Sequence, residues 1–134
     1  MATYRPFRFG VTAPDAGSRA EWVAYARKVE ALGYSTLVTG EHLSFLSPGS
    51  LGPIAALMAA ADATTTLRLA SHVFANDFRH PVLLAQEAAT IDLLSDGRLE
   101  LGLGAGWLRS DYDVAGVPFA PPRSGCSGWK RRSR

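Results

Sequence analysis

One cysteine, Cys126, is all the chain contains, which excludes an intrachain disulfide and any zinc site built from cysteines. No apolar run approaches the roughly 18 residues that a spanning helix needs. The opening Met-Ala-Thr-Tyr-Arg-Pro has no hydrophobic signal segment. A soluble, cytoplasmic protein without a membrane partner is expected. Basic charge is also scarce where it would count. Arg123, Lys130, Arg131, Arg132 and Arg134 supply five of the 14 basic residues, which leaves nine against 12 acidic residues in the rest of the chain. Nucleic-acid binding needs cations spread over a folded face, so no nucleic-acid partner is expected, with binding through the last dozen residues as the weaker alternative. A glycine is missing too. Gly102-Leu103-Gly104 opens like a dinucleotide fingerprint, but Trp107 stands where the third glycine belongs, and the Rossmann reading fails.

What is present fits one modest domain with a real core, since 47% of the 134 residues are hydrophobic. The most informative stretch runs from Asp96 to Trp107. A turn at Asp96-Gly97 leads into Leu99, Leu101 and Leu103 alternating with Glu100, Gly102 and Gly104, the two-residue period of a strand. Its glycines admit either a ligand or a closely packed backbone, and both readings stay open at this point.

Elsewhere the patterning alternates. Phe7, Phe9 and Val11 predict a first strand, and Ser18 with Glu21 predicts a capping box opening a helix whose buried stripe is Trp22, Ala26, Val29 and Leu32. Gly33 stops that helix. Tyr34 to Val38 predicts a second strand ending in Thr39-Gly40-Glu41-His42. Pro53 opens an alanine-rich helix through Ala63, and Leu67, Leu69, Val73 and Phe74 predict a third strand. Pro81 opens a third helix to Leu94, with Leu84, Ala88, Ile91 and Leu94 facing inward. The order β-α-β-α-β-α-β implies a parallel sheet with right-handed crossovers. In parallel α/β architectures ligands sit at the strands' carboxyl ends, where Glu41, His42, His72, Asn76, Asp77, Arg79 and His80 collect.

Three segments stand out together: Leu32-Gly33-Tyr34-Ser35-Thr36-Leu37 leading to Glu41-His42; Asn76-Asp77-Phe78-Arg79-His80-Pro81 leading through Ala88-Ala89-Thr90-Ile91-Asp92 to Leu94-Ser95-Asp96-Gly97-Arg98; and Leu101 to Trp107 followed by Tyr112 and Gly116-Val117-Pro118-Phe119. In them the chain resembles the luciferase-like monooxygenase superfamily, in particular its branch dependent on the deazaflavin coenzyme F420. The resemblance implies an α/β fold of the (β/α)8 TIM-barrel family, which takes about 250 residues when whole. Here it is cut to about four β/α units. Residues 1–122 correspond to the N-terminal half of such a domain.

The function implied is hydride transfer between coenzyme F420, or alternatively FMN, and a small organic substrate. In that setting His42 is the acid-base residue facing substrate and ring, and Glu41 orients it or bonds to the ring. His72-Val73 matches a pair that in many relatives forms a non-proline cis peptide behind the ring. Gly104, Ala105 and Gly106 form the floor that the ring approaches. Some sugar-phosphate-oxidising relatives carry a glutamate where Trp107 stands, and its absence here argues against their particular chemistry. Asp77 and Arg79 are expected to pair with each other or with a helix terminus, and no metal site is expected.

The resemblance stops near Pro121. Residues 123–134 have no apolar period and read as a basic, disordered tail with the look of out-of-frame translation or a truncated gene product. A half barrel leaves open edges, so association through them or as a homodimer is expected. A catalytically inactive fragment is the alternative to an enzyme.

Overall fold

The computed structural model describes residues 7–44 and 48–119, so the expected tail disorder falls outside the described residues. Four parallel strands form one sheet in the order β1 (Gly10–Thr12), β2 (Thr36–Thr39), β3 (Arg68–Ser71), β5 (Leu99–Glu100). Val11 sits opposite Leu37, Leu37 opposite Leu69, and Leu69 opposite Leu99, so one row of aliphatic side chains crosses the sheet. Parallel neighbours need a crossover between them. Helices α1 (Arg19–Ala31), α2 (Pro53–Ala63) and α3 (Pro81–Leu94) supply it, and α4 (Arg109–Ala115) follows the last strand.

Local chemistry explains where the helices begin and end. The Ser18 hydroxyl accepts from the Glu21 N–H, while the Glu21 carboxylate reaches back to the Gly17 N–H at 2.8 Å. Ser18 thus satisfies a donor that the helix start leaves over, while Glu21 ties down the residue before the cap. Trp22, Ala26 and Val29 are buried as the stripe predicts, but Leu32 caps the helix and is 65% exposed. Gly33 then takes a φ of +81°, turning the chain away before Leu32 can reach the core. Leu94, likewise at its helix's last residue, is exposed although Leu84, Ala88 and Ile91 are buried. Alanines at 56, 60 and 61 bring α2 close to its neighbours, and the Trp22 indole donates to the Ala56 carbonyl at 3.0 Å. Phe74, Leu37, Leu57, Leu67 and Leu69 are the large side chains at the centre of the core.

The third and fourth strands each break where the sequence pattern reads as continuous. β3 stops at Ser71, the His72–Val73 peptide is cis, and β4 (Phe74–Ala75) pairs with β6 (Leu103–Gly104) as a separate parallel ribbon. At the break, the Ser71 hydroxyl donates to the Gly102 carbonyl and accepts from the Gly102 N–H, both at 2.9 Å. A side chain thus replaces one rung of the backbone ladder. Only glycine fits at 102, because a Cβ there would run into the Ser71 carbonyl oxygen. No helix among the described residues is long and apolar enough to cross a membrane.

Candidate functional site

The four-stranded sheet and the β4–β6 ribbon deliver the ends of β2, β4 and β6 to one side of the molecule. A cleft of about 430 Å³ there is lined by Glu41, His42, His72, Val73, Gly104, Ala105 and Gly106, together with Ala75, Phe78, Trp107 and Asp111. The seven residues to which the family resemblance gives a catalytic or ring-binding role meet in it, while Asn76, Asp77, Arg79 and His80 are not among its lining residues. A larger hollow of about 820 Å³ adjoins, lined by Thr12 to Asp15, Trp22, the 39–44 segment and the start of α2, and it shares Glu41 and His42 with the first. His42 is therefore part of the wall between two hollows.

Glu41 is spent differently from the sequence expectation. Its side chain is buried; Oε2 accepts from the Ala75 N–H at 2.8 Å and from Arg79 Nη1 at 3.0 Å, and Oε1 takes Arg79 Nη2. The Arg79 guanidinium lies 5.0 Å over the Phe74 ring. Arg79 thus pairs with Glu41 and not with Asp77, whose carboxylate accepts from the Tyr112 hydroxyl at 3.1 Å. The acid on His42 is Asp111, with Oδ2 2.9 Å from the imidazole Nδ1. Sequence reasoning missed Asp111, which stands 69 positions from the histidine and carries no motif of its own. Trp107 meets the His42 ring edge-on, with centroids 6.1 Å apart.

The glycines also do something other than leave open floor. A Cβ on Gly104 would strike Val73, and one on Gly106, whose φ is +74°, would strike the Tyr112 ring. The room their missing side chains provide is filled by this chain's own Val73 and Tyr112, while their backbone still faces the cleft. The Tyr112 hydroxyl is shared between the Ala105 carbonyl, at 2.6 Å, and Asp77. Burial, with Asp77 adding to it, pushes this phenol up to about 12. His80 lies apart from the cleft, capping α3 by accepting from the Val82 N–H. No group of three His, Cys, Asp or Glu side chains among the described residues is placed to hold a metal ion.

These residues fit a flat, largely uncharged ring. The cleft volume lies within the usual span of small-molecule sites, about 300–1,000 Å³. Its walls are backbone, aliphatic and aromatic groups, two imidazoles and the carboxylates of Glu41 and Asp111, both already hydrogen-bonded within the chain, and no lysine or arginine lines it. Such a lining suits a tricyclic heteroaromatic body better than a phosphate-bearing tail.

A family model described as luciferase-like monooxygenase matches residues 1–126. The chain belongs to the luciferase-like monooxygenase family. Family members similar to it include 4-hydroxyprotoasukamycin monooxygenase of Streptomyces nodosus subsp. asukaensis, 34% identical over 78% of this chain and 26% of that protein. The F420-dependent glucose-6-phosphate dehydrogenase of Amycolatopsis mediterranei (strain U-32) is 33% identical over 70% of this chain and 29% of its own length. Among solved family folds, the oxygenating constituent of 3,6-diketocamphane monooxygenase from the CAM plasmid of Pseudomonas putida, in complex with FMN, superposes with a TM-score of 0.77 at 20% identity. It covers 94% of this chain and 37% of that one. Its likeness establishes the fold. The family's TIM-barrel enzymes are thus matched over part of their length, and this chain spans about a quarter of the curated relatives it matches first.

Proposed function

We propose that the 430 Å³ cleft receives the ring of a deazaflavin, coenzyme F420, and that the chain serves as the ring-facing part of an oxidoreductase acting on a small organic substrate. FMN is the alternative cofactor. The observation that carries this reading is the position of His42, common to the ring-sized cleft and to the 820 Å³ hollow beside it. A bound deazaflavin or flavin supplies the hydride donor or acceptor. The chain's own part is to position the ring against Val73, Ala105 and the backbone of Gly104 and Gly106, to shield it with Trp107, and to hold a proton at the His42 imidazole. Glu41 holds the wall together through Arg79 and stays out of the chemistry.

A second reading, a catalytically inactive fragment of such an enzyme, is favoured by one observation: the cleft has no lysine or arginine to hold a phosphate-bearing tail. The two readings part in a single experiment. The purified chain is titrated with F420 and with FMN, cofactor fluorescence is followed, and mass is measured by gel filtration. Saturable binding, by a monomer or by an associated pair, supports the oxidoreductase reading, and stronger binding of F420 than FMN supports the cofactor choice. No binding of either at millimolar cofactor contradicts it. Salt-sensitive binding to DNA in its place would point to the basic tail.

A further inference from the structure

We propose that Asp111 is a positioning residue that fixes His42 as the tautomer protonated on Nδ1, leaving the lone pair on Nε2; this rests on the reading of His42 as the group that handles the proton. Asp111 sits in the first turn of α4 and is 3% exposed. Its two oxygens have separate tasks. Oδ1 accepts from the Leu43 N–H at 3.0 Å, the Ser44 N–H at 2.7 Å and the Ser44 hydroxyl at 2.6 Å. Oδ2 faces His42 Nδ1 at 2.9 Å. The same carboxylate thus pins the segment after β2 to α4 with one atom and addresses the imidazole with the other.

The tautomer follows from proton counting. Burial works to raise the Asp111 carboxyl, but hydrogen bonds from the Ser44 side chain and backbone, the His42 ring and the Leu43 backbone outweigh it and hold the group down to about 2. An ionised carboxylate only accepts. The hydrogen between Oδ2 and Nδ1 therefore belongs to the imidazole, and the neutral ring carries its lone pair on Nε2. When the ring takes up a proton, the buried carboxylate faces the new charge. The arrangement is that of a carboxylate orienting a histidine base, where replacing the acid by its amide produces the wrong tautomer.

The substitution Asp111→Asn is unusually informative here. Three donors converge on the Oδ1 position, so the amide oxygen stays there and the amide NH2 falls opposite Nδ1. It must donate, Nδ1 must accept, and the proton moves to Nε2. The test is a long-range ¹H–¹⁵N spectrum of the full chain labelled at its 3 histidines, with His42 assigned by the loss of its signals in His42→Gln. The expected result is a pyrrole-type Nδ1 and a pyridine-type Nε2 in the native chain, an exchange of the two in Asp111→Asn, and no exchange in Ser44→Ala, which removes a donor to Oδ1 and the acceptor of the Ser110 hydroxyl but leaves Oδ2 facing Nδ1. A native His42 with a pyridine-type Nδ1 overturns the proposal, and so does a folded Asp111→Asn chain with an unchanged nitrogen pattern. If Asp111→Asn does not fold, the native spectrum alone decides. Cofactor titration of the same samples separates the two claims: exchange without F420 or FMN binding keeps the positioning role and removes the redox reading, and binding without exchange does the reverse.

Discussion

Arg79 reaches across from the turn before α3 to grip both carboxylate oxygens of Glu41 at the end of β2, and the Ala75 N–H completes the cluster. Glu41 is almost fully buried while Arg79 retains some exposure, 3% against 22% for the side chains. Replacing the acid by its amide would leave the guanidinium without its counter-charge in a poorly solvated place, with one oxygen to share between Arg79 and the Ala75 N–H. Glu41→Gln is expected to cost about 3 kcal/mol in urea denaturation, in the range for breaking one side of a buried pair. A loss under about 0.5 kcal/mol, as for an exposed pair, would show that the cluster is solvated.

The contact between Gly104 and Val73 makes a second prediction. A methyl group at 104 meets the Val73 side chain, so Gly104→Ala is expected to destabilise the chain by about 1–3 kcal/mol through overpacking. Trimming the neighbour should relieve it. In a double-mutant cycle, Gly104→Ala combined with Val73→Ala should be more stable than the sum of the single changes implies. Additive losses would mean that Gly104 is there for some reason other than Val73.

Stability should fall at both ends of the pH scale, for different groups. The Glu30 carboxylate accepts from the N–H groups of Thr65, Thr66 and Leu67. Burial raises its pKa, but these bonds and the Thr66 hydroxyl lower it more, from 4.5 to about 2. Asp111 behaves alike, held down from 3.8 to about 2. The unfolded chain binds these protons first as pH drops, so their contribution is whole above about 4.5 and is lost towards 2. Urea midpoints measured through that window should decline, less steeply in Glu30→Gln. Tyr112 runs the other way: its phenol is raised from 10.0 to about 12, so its contribution is present below 10 and lost between 10 and 12. Ultraviolet titration should show a late-ionising phenol, and Tyr112→Phe should remove that phase.

Much of the fold could be read from the sequence because burial imposes periodicity. The 3.6-residue stripe of Trp22, Ala26 and Val29, the capping pair Ser18 and Glu21, and the prolines at 53 and 81 are local signals with local causes, and the helices start where those signals fall. The stripes were overextended by one residue at Leu32 and Leu94, where helix ends override the period. The strand breaks at His72–Val73 and Leu101–Gly102 left no mark in the hydrophobic alternation, since they arise from the Ser71–Gly102 approach between distant segments. In the site, strand-end position drew attention to His42, His72 and the glycines. The partners of Glu41 and His42 stay hidden because Arg79, just before α3, and Asp111, in α4, are brought near only by tertiary packing.

The central claim is that one cleft at the strand ends takes a deazaflavin or flavin ring. Ala105 lines that cleft and is exposed, so a tryptophan there fills it without disturbing the core. The decisive measurement is an F420 fluorescence titration, repeated with FMN, of the native chain and of Ala105→Trp, with thermal unfolding recorded for both. The expected result is saturable quenching in the native chain, with affinity lowered at least tenfold, about 1.4 kcal/mol, in Ala105→Trp at an unchanged unfolding midpoint. Equal binding by the two proteins, or none by the native chain, would contradict it.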